Sequence, residues 1–309
     1  MSTVKKYLSL VKFSHTIFAM PFALIGFFLG IRDLVRIPWV KIYQFSALPL
    51  SKKTTLFFYH QFWIFIIVIL CKIFARSAAM AFNRWLDKNY DAKNPRTAVR
   101  EIPSGIITSN NALQFVIINC LLFIACCYFI NKICFYLSAV ALFVVLFYSY
   151  TKRFTALCHL VLGTGLSLAP IGAYLAVTGT FALLPILFSF SVLFWVSGFD
   201  IIYALQDEEF DKSNQLHSIP AALGKSKALI VSNLLHVLSA VCVISAGVYG
   251  HFGIWYWIGV AIFCSLLIYQ HTLVKPNDLS KVNMAFFTTN GIASVVFAIF
   301  VIFDLFLNK

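Results

Sequence analysis

Long apolar runs follow one another along the chain, and short polar segments separate them. A helix needs roughly 20 apolar residues to cross a bilayer. The runs predict nine such helices, near 14–30, 61–82, 112–130, 133–150, 156–178, 181–204, 228–249, 253–273 and 283–306. We therefore expect an all-α fold, a multi-pass transmembrane bundle.

The composition supports a membrane protein and excludes a soluble globular enzyme. Hydrophobic residues make up 61% of the 309 residues and charged residues 11%, against roughly 45–50% and about 25% in soluble domains. The net charge of +13 is explained by basic loops that face the cytoplasm and anionic lipid, so no nucleic-acid partner is expected. The eight cysteines form no CxxC pair and are expected to be small apolar side chains.

Basic residues also predict the orientation of the bundle. They concentrate in alternate connections, 83–111, 151–155, 205–227 and 274–282, while the later connections on the other side carry only Lys132. The positive-inside rule then predicts an N-terminus in the cytoplasm, and we expect a multi-pass protein of the cell (inner) membrane. The basic first connection, 31–60, is an exception, and its aromatic residues suit an interfacial segment.

The few acidic residues are concentrated in two windows. Eight of the 11 lie there: Asp87, Asp91, Glu101, Asp200, Asp207, Glu208, Glu209 and Asp211. Steps of four residues put Asn83, Asp87 and Asp91 on one helix face, and Asp207 and Asp211 repeat the step. Both windows emerge on the same side, because four spans separate them. Asp200, inside a span, should face protein or a wet cavity.

Converging carboxylates repel one another, and a divalent cation relieves that repulsion. Oxygen ligands without clustered His or Cys favour Mg²⁺, which commonly completes its ligand set with phosphate oxygens. The missing ligand is therefore expected to be a phosphate or diphosphate. Nearby cations for it are Arg84, Lys93, Arg96, Arg100, Lys152 and Arg153.

Several separated motifs, in order, resemble the UbiA superfamily of intramembrane prenyltransferases. They are KFSHTIFAMPFALIG, the Asn83-xxx-Asp87-xxx-Asp91 motif, REIPSG, YSYTKRFT, the Tyr203-Ala-Leu-Gln-Asp207-xxx-Asp211 motif and HSIPAALG. The chain is most similar to the 4-hydroxybenzoate polyprenyltransferase branch, including relatives of the menaquinone futalosine route. One departure is Gln215, where relatives commonly have Gly.

The resemblance implies one UbiA-like domain over 1–309, with acidic motifs at 83–91 and 200–211. It also implies a central cavity open to lipid, with an active-site cap on the cytoplasmic side. The implied metal ligands are Asn83, Asp87, Asp91, Asp207 and Asp211. The implied diphosphate contacts are Asn83, Arg84, Arg100, Tyr148, Lys152 and Arg153. The four aspartates and Lys152 are the expected catalytic residues, and the acceptor-binding candidates are Lys12, His15, Asp200 and Tyr203.

The activity implied is Mg²⁺-dependent transfer of a polyprenyl group from an isoprenyl diphosphate to a ring carbon of an aromatic acid. A 4-hydroxybenzoate-like or naphthoate-like acceptor would place the enzyme in ubiquinone or menaquinone biosynthesis. Another acceptor within the superfamily is an alternative, and a transporter with a cation site is a further one. A CDP-alcohol phosphotransferase is disfavoured, because its contiguous acidic motif is absent from the sequence.

Overall fold

The computed structural model describes residues 3–11, 20–36 and 50–308, with side chains from 5 and from 55 in the first and last ranges. Its α-helices are α1 (Thr3–Leu10), α2 (Met20–Arg36), α3 (Leu50–Leu86), α4 (Lys88–Lys93), α5 (Ser109–Ile130), α6 (Lys132–Thr151), α7 (Cys158–Thr178), α8 (Leu183–Ala204), α9 (Glu208–Ser213), α10 (Ile219–Tyr249), α11 (Ile254–Leu273) and α12 (Asn290–Leu307). A 3₁₀ turn (Leu205–Asp207) precedes α9, and a π-helical segment (Met284–Thr289) precedes α12.

The all-helical membrane fold is confirmed. Eight segments of the described chain are long and apolar enough to cross a membrane, and they correspond to eight of the nine predicted spans. The first predicted span, 14–30, overlaps α2, of which the described part is 17 residues long. Many large apolar side chains are exposed on the outer faces of these helices, as a lipid environment requires.

The first predicted connection is shorter than 31–60. Helix α2 continues to Arg36 and α3 begins at Leu50, so the helices take up both ends of that range. Residues 37–49 lie outside the described part of the chain. The apolar run correctly located the membrane span within α3. The helix itself begins earlier, in a more polar segment, because backbone hydrogen bonding does not depend on hydropathy.

The centre of the bundle is α8, which packs against α7 and α10. Two glycines permit this close approach: a Cβ at Gly163 would lie 2.3 Å from Ser197 Oγ, and one at Gly198 would lie 2.4 Å from the His236 ring. Trp195 of α8 lies in an aromatic core with side chains of α2, α11 and α12, which include Phe22, Phe263 and Phe297. This rigid centre fixes the end of α8 from which the second acidic motif emerges.

Candidate active site

A cavity of about 320 Å³ lies at the end of the bundle where both acidic motifs emerge. Helices α3, α4, α6, α7 and α8 provide most of its wall. Eleven of the predicted site residues line it: Asn83, Arg84, Asp87, Asp91, Arg100, Tyr148, Lys152, Arg153, Asp200, Tyr203 and Asp207. The structure therefore brings together residues that lie up to 124 positions apart, from 83 to 207.

The first acidic motif lies on a nearly continuous helix. Helix α3 ends just before Asp87, yet the backbone N–H of Asp87 still donates to Asn83 C=O at 2.9 Å, and that of Asp91 donates to Asp87 C=O at 2.8 Å. The Asn83 side-chain amide also donates to Asp87 Oδ2 at 3.1 Å. The predicted spacing of four residues thus places these three side chains along one side of the cavity.

The second motif follows a tighter path. Asp207 ends the 3₁₀ turn, and Asp211 lies in α9 with its side chain fully buried. Ser218 Oγ donates to Asp211 Oδ2 at 2.9 Å and also accepts a hydrogen bond from the N–H of Ala221, which caps α10. Asp211 is not in the cavity wall itself, but it contacts that wall through Lys152.

The loop between α9 and α10 includes Gln215, one of the departures from the superfamily pattern. Gln215 has φ of 55°, in the left-handed region that glycine adopts without strain. The N–H of Leu216 donates to Asp211 C=O, and the N–H of His217 donates to Lys152 C=O at 2.7 Å. The loop therefore keeps the connection that holds the second motif beside Lys152.

Each motif carboxylate has a basic partner of its own. The four ion pairs are Arg153 with Asp87 at 2.8 Å, Arg100 with Asp91 at 2.6 Å, Lys152 with Asp211 at 2.7 Å, and Arg96 with Asp207. Arg96 and Asn94 follow the first motif and both donate to Asp207 of the second. These contacts connect the two windows directly.

Burial and pairing have opposite effects on the charged groups at the cap. Burial raises the pKa of Asp87, and this outweighs the lowering by Arg153. Burial alone would lower the pKa of Lys152, but the ion pair with Asp211 outweighs it and raises that pKa. An added cation would help keep the Asp87 carboxylate ionised at this buried position.

Asp200 lines the cavity from α8 and is held by a histidine of α7. His159 Nδ1 lies 2.7 Å from Asp200 Oδ2, while the N–H of Ile219 donates to His159 Nε2 at 3.4 Å. The His159 ring thus lies between Asp200 and the first residue of α10 and contacts both. The side chain of Asp200 is 23% exposed, which leaves its other oxygen open to the cavity.

A second cavity, of about 390 Å³, adjoins the first within the membrane-spanning part of the bundle. Its wall is mostly apolar and comes from α3, α5, α6 and α7. The residues common to both walls are Arg76, Met80, Tyr148, Leu162 and Leu166. A charged cap thus opens onto an apolar space large enough for part of a hydrocarbon chain.

Some residues of the site lie outside the sequence motifs. Arg76 and His159 both line the charged cavity. Arg76 precedes Asn83 by seven residues, which is two helical turns, so both lie on the same face of α3. A charged residue within an apolar run, on the face that carries the motif, could have indicated that Arg76 belongs to the site. No spacing pattern in the sequence indicated His159. Lys12 and His15 lie outside the described residues, and their assignment to the acceptor stays a prediction.

The sequence profile of the UbiA prenyltransferase family matches residues 50–292. The chain belongs to this family. It is therefore a prenyltransferase embedded in a membrane by its helices. The match includes both acidic motifs and every helix from α3 to α11.

Curated relatives agree with this membership. The chain is 31% identical over 235 residues to a 4-hydroxybenzoate octaprenyltransferase of Nitrosomonas europaea, covering 76% of this chain and 80% of the relative. It is 29% identical over 227 residues to a 4-hydroxybenzoate octaprenyltransferase of Francisella tularensis, covering 74% of this chain and 80% of the relative.

Solved structures share the fold. A UbiA homologue from Aeropyrum pernix in its apo form superposes with a TM-score of 0.77 at 26% identity, covering 94% of this chain and 98% of the homologue. A UbiA homologue from Archaeoglobus fulgidus, solved with DMAPP and Mg²⁺, has a TM-score of 0.67 at 19% identity, covering 98% and 99% of the two chains.

Proposed function

We propose that this prenyltransferase moves a polyprenyl group from an isoprenyl diphosphate to a ring carbon of an aromatic acid, in a Mg²⁺-dependent reaction. The acceptor would resemble 4-hydroxybenzoate or a naphthoate, which places the enzyme in ubiquinone or menaquinone biosynthesis. The two relatives named as 4-hydroxybenzoate octaprenyltransferases support this choice of acceptor. Residues 1–309 would act as one domain.

One observation carries the proposal: the charged cap and the apolar cavity adjoin, and Tyr148 and Met80 are in both walls. An isoprenyl diphosphate has the same division into a highly charged head and an apolar tail. The head fits a cap with several basic side chains, and the tail fits the apolar cavity. The bond to be broken would then lie where the two cavities meet.

The donor set of the cap fits Mg²⁺. No three His, Cys, Asp or Glu side chains in the described residues are already grouped closely enough to hold a metal ion, because each motif aspartate is paired with a basic side chain. Asp91 Oδ2 is nevertheless buried without a hydrogen-bond partner, and such an oxygen is costly unless it gains a ligand. The residues that would hold the ion are Asn83, Asp87, Asp91, Asp207 and Asp211.

In the proposed reaction the C–O bond to the diphosphate breaks and its electron pair leaves with the diphosphate. The ring carbon bonds to C1 of the prenyl group, and the ring hydrogen leaves as a proton. When bound, Mg²⁺ would supply Lewis-acid stabilisation of the departing diphosphate. Arg84, Arg100, Lys152 and Arg153 would add positive charge at the same oxygens.

The apolar wall and the α8 residues have separate tasks in this proposal. Leu162 and Leu166 exclude water, which would otherwise quench the allylic cation. Asp200 accepts the proton from the acceptor and His159 orients Asp200, while Tyr203 contacts the acceptor ring. Tyr148 lies beside C1 of the prenyl group, where its ring stabilises developing positive charge.

We also propose a location for the cap. The basic connections near both acidic motifs support a cap on the cytoplasmic side of the cell (inner) membrane. Protease accessibility of the loop 94–108 in right-side-out and inverted vesicles tests this, and cleavage is expected only in the inverted ones.

The decisive experiment is product formation by purified protein. We expect prenylated aromatic acid, identified by mass, only when an isoprenyl diphosphate, an aromatic acid and Mg²⁺ are all present. Chelation by EDTA should stop the reaction, and added Mg²⁺ should restore it. Release of diphosphate without an aromatic acceptor, or uptake of a cation with no product, would contradict the proposal.

A further inference from the structure

Cysteines from three different helices line the apolar cavity. They are Cys71 of α3, Cys127 of α5 and Cys134 of α6. The sulfur atoms of Cys71 and Cys127 lie 3.9 Å apart. All eight cysteines are within the described residues and are free thiols. The proposed reaction uses none of them, so the contact between two thiols in this wall calls for a separate explanation.

The thiols lie at the end of the cavity away from the charged cap. Cys127 and Cys134 flank the Asn131 turn between α5 and α6, and the cap lies at the other ends of those helices. The Asn131 side chain holds this turn, because it accepts from the N–H of Cys134 and donates to a carbonyl of α7. Cys71 lies about 18 Å along the α3 axis from Asn83, since twelve residues separate them.

Two thiols at this separation can form a disulfide with little movement. An S–S bond is about 2.05 Å long, so the sulfur atoms have to approach by roughly 1.9 Å, which rotation about the Cα–Cβ bonds can supply. The oxidation releases two electrons and two protons, and an acceptor has to take up both. Because the cavity wall is mostly apolar, that acceptor has to be lipid-soluble. A quinone meets both requirements.

We propose that Cys71 and Cys127 form a redox-sensitive pair that a membrane quinone oxidises to a disulfide. Both S–H bonds break, one S–S bond forms, and the two electrons and two protons pass to the quinone, which becomes the quinol. Lys72 and Arg76 line the same wall, and nearby positive charge favours the thiolate through which such an oxidation begins. The disulfide joins α3 to α5 and fixes this end of the cavity.

The effect of the disulfide on catalysis rests on the proposed function. A diphosphate held at the cap would direct the last isoprene units of a long donor toward this end of the cavity. A cross-linked wall no longer adjusts to those units, whereas a donor with one isoprene unit stops short of it. Oxidation should therefore slow the enzyme with long donors and spare it with short ones.

The first test counts the free thiols of the purified protein in detergent, with duroquinone as the oxidant. Duroquinone has no unsubstituted ring position, so it oxidises thiols in preference to adding to them. The thiols that react with a maleimide after denaturation should fall from eight to six, and peptide mass should identify a disulfide between Cys71 and Cys127. Dithiothreitol should restore all eight, and duroquinol, which accepts no electrons, should leave all eight.

Variants separate this pair from the other cysteines. Cys71→Ser and Cys127→Ser each have seven thiols, one fewer than the eight of the wild type, and duroquinone should leave all seven. The matched control is Cys242→Ser on α10, outside both cavity walls. It should still lose two thiols and form the same disulfide.

Product formation is the second test. Oxidised wild-type protein should lose kcat/KM for octaprenyl diphosphate by roughly 10-fold and for dimethylallyl diphosphate by less than about twofold, where tenfold corresponds to about 1.4 kcal/mol. Dithiothreitol should reverse the loss. Cys71→Ser should keep its activity with both donors after the same treatment.

Several outcomes would overturn the proposal. Eight reactive thiols after duroquinone, or a disulfide between other cysteines, would show that the pair is not the site of oxidation. Equal losses with the long and the short donor, or the same loss in Cys71→Ser, would contradict the effect on the cavity. Failure of the proposed function differs from all of these, because wild-type protein would form no product before oxidation while its thiol count would still fall to six.

Discussion

The two acidic motifs have the same spacing of aspartates but differ in how the protein holds them. Asp87 in the first motif has a side chain 24% exposed to the cavity and is paired with Arg153. Asp211 in the second is 0% exposed, and it both pairs with Lys152 and accepts from Ser218, the cap of α10. Asp87 is thus accessible to a ligand, whereas Asp211 also connects three parts of the fold.

Two motifs with the same aspartate spacing can therefore respond differently to the same substitution. When a buried carboxylate is removed, the charged and polar groups that paired with it stay buried without a partner. The loss of that pairing strongly destabilises the folded protein. Removing a partly exposed one leaves a guanidinium that water can still reach. Substitutions of Asp87 and of Asp211 should therefore separate catalysis from stability.

The largest effect is expected for Asp211→Ala. It should abolish product formation and also reduce the free energy of unfolding by about 3 kcal/mol, because Lys152 and Ser218 both lose their partner. Thermal unfolding of purified protein in detergent, followed beside product formation, measures both effects. An unchanged melting temperature would show that Asp211 has no structural role.

Asp87→Ala should lower turnover by about 10²- to 10³-fold, the cost of losing one group that stabilises transition-state charge, with little change in melting temperature. Glu209→Ala is the matched control, since Glu209 is exposed on α9 and lines neither cavity. If Asp87→Ala lost as much stability as Asp211→Ala, the proposed difference between these two aspartates would be wrong.

Arg96→Gln tests the contact that joins the motifs. Arg96 bonds to Asp207 and Tyr203 from an accessible position, where ion pairs contribute little to stability. We expect a KM for the isoprenyl diphosphate raised by roughly 10-fold, as for one charged hydrogen bond, with stability retained. Lys93→Gln, an exposed site outside the cavity wall, should have no effect.

Ser218→Ala should give the smallest effect, a loss of about 1 kcal/mol in stability, because it removes a helix cap and the bond to Asp211. Thr108→Ala removes the cap of α5, where Thr108 accepts from the N–H of Asn111, and should cost about as much. Only Ser218→Ala should also lower activity, by a few-fold. Equal activity in the two variants would argue against a link between the α10 cap and the second motif.

Much of the fold and part of the site followed from local patterns. Apolar runs located eight spans, and the step of four residues put Asn83, Asp87 and Asp91 along one side of the cavity. The helix boundaries were less accurate at α3 and α10, which begin at Leu50 and Ile219 rather than 61 and 228. For α10, the Ser218 cap and Pro220 in the first turn were available as signals.

The sequence by itself determined the membrane class, the family motifs and the chemical character of the cap. Hydropathy and helical period are local properties, so a one-dimensional pattern contains them. Only the tertiary structure decided which cation pairs with which carboxylate, because the Arg153–Asp87 and Arg96–Asp207 contacts join residues 66 and 111 positions apart. It also placed Lys72 and Arg76 beside an apolar cavity, where neither side chain makes a hydrogen bond or ion pair with the described residues, since pairing depends on where neighbouring helices direct their side chains.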